Sequence, residues 1–134
     1  ADSLNFFVWV GRGYPYRWIT LHRSRKDSYL DIKSSWEQLK NDFSRHMPKI
    51  TISNYYQENE KAFYGNNKIP VMRGIYEHSE SDSGGPFFVY IFDTEQTNEV
   101  ILISGFVNYP GHEKLLLLKQ LEIIAKTLHK GDSV

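Results

Sequence analysis

Residues 83–93 (SGGPFFVYIFD), 99–110 (EVILISGFVNYP) and 112–128 (HEKLLLLKQLEIIAKTL) decide the fold of this chain. A glycine pair and a proline launch an apolar strand, and a polar break over 93–98 turns it. A second apolar strand answers, and Pro110-Gly111 swings the chain into an amphipathic helix. Both strands are apolar almost throughout, as in the middle of a sheet covered on both faces. In the helix, Leu117, Leu118, Leu121, Ile124, Ala125 and Leu128 form one stripe, with Glu113, Lys114, Lys119, Glu122 and Lys126 opposite and Gly131 as the stop.

Upstream, residues 4–10 (LNFFVWV) read as a strand closed by Gly11-Arg12-Gly13, and residues 16–22 as a second. In that second strand Tyr16, Trp18 and Thr20 share one face, Arg17, Ile19 and Leu21 the other. This mixture implies one face against helices and one half exposed. The basic run around Arg23, Arg25 and Lys26 reads as a solvated turn rather than an anion site, because acidic residues elsewhere cancel its charge. Residues 34–47 form a helix: Ser34 and Glu37 have capping-box spacing, Trp36, Leu39, Phe43 and Met47 make the buried stripe, and Pro48 ends it. Residues 50–64 alternate only in short stretches around the charged QENEK segment, which predicts two short strands, or one strand with an excursion. GNNK at 65–68 is a tight turn, and residues 71–78 are a further strand in which Gly74 marks a bulge or a close approach. The expected fold is α+β: one domain over 1–134, about six strands in the order ββαββββα, the sheet antiparallel and two helices packed on it.

Composition narrows the function. The 134 residues fit one core, and sixteen basic and sixteen acidic side chains leave no net charge to draw the chain to nucleic acid or an anionic membrane. There is no cysteine, hence no disulfide, thiolate metal site or thiol nucleophile. Three Trp, nine Tyr and eight Phe exceed what one small core needs, so some are expected at a binding surface. The opening ADSLNFF, with no Met or signal-like segment, is expected of a processed chain or a piece of a longer one.

Three constellations carry candidate chemistry. The aromatic and basic set Tyr14, Tyr16, Arg17 and Trp18, with Tyr55 and Tyr56, has the side-chain types enriched at binding hot spots, and the same types fill cores. Ser81-Asp82-Ser83-Gly84-Gly85-Pro86 resembles the nucleophile loop of trypsin-like serine proteases, with Ser83 at the nucleophile position. That family needs a histidine base braced by a carboxylate and two β-barrels, and His22, His46 and His78 lack the expected Thr-Ala-x-His context. Finally, Glu77, Glu80 and Asp82, beside His78, offer oxygen ligands to a hard cation but lack the spacing of a calcium loop, and no zinc motif is present.

Gly84-Gly85-Pro86-Phe87, then Gly105-Phe106-Val107 with Pro110, then Leu118, Leu121, Glu122 and Ile124, resemble the end of a Bacteroidetes cell-envelope lipoprotein family, domain of unknown function 4837. NFFVWVGR near the start and RGIYE at 73–77 look like its earlier landmarks. The chain departs from the family pattern at Ser83, where Met is usual, in lacking a Trp after the Arg-Gly motif, and in keeping one basic residue, Lys114, of the pair that follows the proline. The resemblance implies the C-terminal half of a longer lipoprotein, located in the periplasm or at the outer membrane. The strand order also looks like the Mog1/PsbP-type arrangement, an analogy of fold alone.

The expectation is therefore a non-catalytic envelope domain that binds protein partners in a complex. It needs no cofactor, metal or nucleic acid, and meets the membrane only through a lipid anchor outside this chain. A serine hydrolase using Ser83 and a small-ligand-binding domain are the alternatives.

Overall fold

The computed structural model describes residues 6–10, 16–80, 84–94 and 98–108, together with 119, 122 and 123. The elements are β1 (Phe6–Val10), β2 (Tyr16–Arg25), a 3-10 turn (Lys26–Tyr29), α1 (Ile32–His46), β3 (Ile50–Tyr64), β4 (Asn67–His78), β5 (Gly84–Asp93) and β6 (Glu99–Asn108). They build an α+β fold around one sheet in the order β1-β2-β6-β5-β4-β3, every neighbouring pair antiparallel.

The β5–β6 hairpin occupies the centre, as its apolar sequence requires. Side chains alternate between two clusters. Phe87, Val89, Ile91, Leu102 and Phe106 join Met72, Tyr76 and the α1 residues Trp36, Leu39 and Phe43 on one face. Phe88, Tyr90, Phe92, Ile101, Ile103 and Val107 join Ile19, Ile69 and Val71 on the other. Each such large apolar side chain, when fully buried, contributes about 1.5–3 kcal/mol. Ile19 is buried and Leu21 packs beside it, so the half-exposed face expected for β2 is covered, because the second cluster claims that face too.

The glycine pair that opens β5 has a steric origin. A Cβ on Gly84 would collide with the carbonyl oxygen of Tyr76 on β4, and one on Gly85 with that of Val107 on β6. Gly74 marks a close approach as well: a Cβ there would sit 2.8 Å from the Phe87 ring and 3.2 Å from Trp36.

Two local boundaries differ from the sequence reading. Helix α1 starts at Ile32, not Ser34, because Asp31 is the cap: extended at φ −115°, ψ 142°, it accepts from the Ser34 N–H at 3.1 Å. Strand β2 continues through the basic run to Arg25, which pairs with Glu99. Lys26 then bonds Asp93 at 2.6 Å, so the run is spent on local acids. Residues 50–64 are one strand with an interruption in its register, the second of the two alternatives expected there.

The stretch expected to form a closing helix lies mostly outside the described residues. Lys119, Glu122 and Ile123 are helical, and Glu122 Oε1 accepts from Arg73 Nη2 at 2.7 Å. Arg73 alternates with Met72 and Gly74, so this contact falls on the face opposite α1. Among the described residues no helix is long and apolar enough to cross a membrane.

Candidate functional site

Strand β3 lies at the end of the sheet, and its register with β4 breaks between Ile52 and Gln57. Ile52 pairs with Tyr76 and Gln57 with Gly74, so Ser53, Asn54, Tyr55 and Tyr56 oppose Ile75 alone. The excess chain has to leave the ladder, and a bulge results. Its fold-back is held locally: the Tyr55 N–H donates to Ser53 Oγ at 3.1 Å, and Lys40 of α1 donates to Asn54 Oδ1. As a result Tyr55 is 100% and Tyr56 42% exposed. A hydrogen bond with Glu58, helped slightly by burial, raises the Tyr56 phenol above its usual value.

Beside the bulge, α1 and β3 frame an open cleft of about 530 Å³. Ile32, Lys33, Trp36 and Lys40 line it from the helix, Gln57 and Asn59 from the strand. Trp36 Nε1 donates to Asn59 Oδ1 at 2.8 Å, which fixes the indole against the strand. Asp31 and Glu37 balance the two lysines in the lining, so the cleft offers the exposed Ile32 and amide groups, with Trp36 buried at its floor, rather than a field.

The predicted binding set is split. Tyr55 and Tyr56 adjoin the cleft. Arg17 and Trp18 lie on β2, with β6, β5 and β4 between them and β3. Trp18 stacks on Phe106 at 4.8 Å and meets Tyr76 edge-on at 5.3 Å, so it packs against the core. Tyr14 and the side chain of Tyr16 lie outside what is described, as do Asp82 and Ser83. Glu77 is exposed, and Glu80 bonds Lys49 at 3.0 Å. Among the described residues no group of three His, Cys, Asp or Glu is placed to hold a metal.

Sequence reasoning missed a buried polar cluster that carries its own chemistry. His22 on β2 and Asp42 on α1 are 1% and 3% exposed, with Nε2 3.2 Å from Oδ2. Tyr29 donates to the same oxygen at 3.0 Å and Gln38 to Oδ1 at 2.8 Å. Burial pushes the Asp42 carboxyl up, but hydrogen bonds from His22, Gln38 and Tyr29 and the attraction of His22 outweigh it and hold the group below its ordinary value. Burial, and then the Asp42 charge, push the Tyr29 phenol strongly up. The cluster ties α1 and the 3-10 turn to β2 and is closed to solvent. No local motif signals it, because His22 and Asp42 are twenty residues apart in the chain.

The braced imidazole is far from Gly84, the first described residue after Ser83. His22 is level with Leu102 and Ile91, and Gly84 lies seven residues along β5 from Ile91, roughly 23 Å at strand rise. His78 follows Glu77, the partner of Gly84, and its Nδ1 accepts the Glu80 N–H at 3.3 Å. In the neutral ring Nε2 then carries the proton.

A protein-family model described as Domain of unknown function (DUF4837) matches residues 5–127. No curated protein matches the chain.

Proposed function

Because the chain belongs to the DUF4837 family, whose description names no reaction, we propose that it is a non-catalytic binding or assembly domain of the cell envelope. In this reading it is one α+β domain, the C-terminal part of a longer lipoprotein, held at the periplasmic or outer-membrane surface by a lipid anchor outside this chain. The proposal includes a second helix over the closing leucine-rich stretch and a Mog1/PsbP-type arrangement. The Arg73–Glu122 contact supports the helix.

The observation that carries the reading is Tyr55, fully exposed on a bulge beside the Trp36 cleft. Burying a tyrosine removes a large apolar area from water, and its hydroxyl gives direction to the contact, so leaving one wholly in solvent sacrifices that burial unless a partner covers it. Zero net charge agrees with recognition by shape and local chemistry. The functional unit is then Tyr55, Tyr56 and the cleft, with Trp18 left in a supporting, core-packing role.

The test is recovery of partners from detergent-solubilised envelope membranes by the tagged chain and by the Tyr55→Ser, Tyr56→Ser double variant. A protein recovered in stoichiometric amount by the first and lost from the second is the expected result. Absence of any stoichiometric partner, or equal recovery by both, contradicts the reading.

A further inference from the structure

We infer that β3 binds its partner by accepting an extended segment as an added antiparallel strand, a segment whose side chains alternate between apolar and basic. The inference rests on the protein-binding reading above and specifies its geometry.

Beyond the bulge, residues 57–64 pair with β4 without interruption, from Gln57↔Gly74 to Tyr64↔Asn67. Among the described residues β3 pairs on no other side. Every second residue from 57 to 63 points its N–H and C=O away from β4, which leaves a ladder about 24 Å long for another chain. Proteins usually blunt such an edge by shortening it, by placing proline or a bulge within it, or with charged side chains, which here are Glu58, Glu60 and Lys61 and select which strand can be added. Here the run has no proline, and the bulge precedes it.

The two faces of the edge differ. Gln57 and Asn59 lie on the α1 side and line the cleft with Trp36 and Ile32, the latter 62% exposed. Trp36 is itself 4% exposed, so a residue of the incoming strand on that side meets the aliphatic surface of Ile32. Glu58 and Glu60 lie on the other face. Arg73 bonds Glu60 and also Glu122, and Glu58 stands opposite it across the ladder, so one guanidinium faces more carboxylates than it neutralises and the rim is left acidic. Lysine or arginine opposite Glu58 and Glu60 completes it, since opposite charges facing across strands stabilise a pair and like charges destabilise it.

That charge pattern also weighs against a second copy of this chain as the added strand. Antiparallel self-pairing keeps each side chain on its own face, so residues of like parity meet. Centring the pair on residue 58, 59 or 60 sets glutamate against glutamate, and centring it on 61 sets Lys61 against itself.

The test pans a random dodecapeptide library displayed on phage against the immobilised chain. The enriched peptide is then synthesised unmodified and with every second amide N-methylated, in both phases. The expected result has three parts: enriched sequences alternate apolar residues with Lys or Arg, one N-methylated phase loses at least about tenfold in affinity, and amide exchange slows over residues 57–64. Glu58→Lys, an exposed change, lowers the affinity by about tenfold, which is about 1.4 kcal/mol. No enrichment, acidic sequences, or equal binding by both N-methylated forms overturns the inference. So does a concentration-dependent dimer with slowed exchange over 57–64. Slowed exchange confined to 53–56 also overturns the added strand while leaving the Tyr55 surface standing, so the two claims fail separately.

Discussion

Trp36 on α1 donates its indole N–H to the side-chain oxygen of Asn59 on β3 across 2.8 Å, and this bond sets the distance between helix and edge strand. The indole also meets the Phe87 ring edge-on at 6.3 Å, above the gap that Gly74 leaves. Replacing Asn59 with Leu removes the acceptor beside an open cleft. A destabilisation of about 1 kcal/mol is expected, read in urea as a lower midpoint with an unchanged slope.

Tyr55 and Tyr56 hold almost nothing of the fold in place. Tyr55→Ser and Tyr56→Ser should each leave the unfolding free energy within about 0.5 kcal/mol of the parent, while together they abolish partner recovery. Loss of binding accompanied by a large loss of stability would place these side chains in the architecture instead.

The Asp42 carboxyl is held below its ordinary value by the groups around it, burial notwithstanding. Its contribution is therefore complete above the unfolded-state value of about 3.9 and is lost as pH falls through the lower folded-state value. Unfolding followed at a series of pH values should show this group's share disappearing below about pH 4. Asp42→Asn should flatten that acid limb and cost about 1–3 kcal/mol at pH 7, the range for leaving buried hydrogen-bonding groups unsatisfied. An unchanged acid limb in the variant contradicts the assignment.

The glycine pair at the start of β5 gives a sharp steric prediction. Gly85→Ala sets a methyl group against the Val107 carbonyl, and a loss of about 1–3 kcal/mol is expected. Gly65→Asn should be nearly neutral: φ is +62°, no atom lies within 4 Å of the place a Cβ would take, and asparagine tolerates this region. Thermal unfolding of the two variants side by side checks the contrast.

Periodicity made the centre of the sheet legible, because Phe87, Val89 and Ile91 on one face and Phe88, Tyr90 and Phe92 on the other are all apolar. The same rule obscured β3. Residues 57–61 read as a charged break because an edge strand keeps one flank in water, where Glu58, Glu60 and Lys61 are exposed. The bulge was illegible for another reason: it arises from the mismatch of four β3 residues with Ile75, and β3 alone does not carry the register of β4. Tyr55 and Tyr56 could be picked out by residue type, but their exposure, and the packing of Trp18 on Phe106, depend on the sheet order. His22 and Asp42 meet only once α1 is laid on β2.

Placing the photoreactive residue p-benzoylphenylalanine at Tyr55 in the full chain, in cells, tests the binding surface most directly, with Ser44 on the exposed side of α1 as the comparison site. The account predicts that light produces one discrete crosslinked product from position 55 and none from position 44, and that Tyr56→Ser weakens it. No product from position 55, or the same products from both positions, contradicts the account.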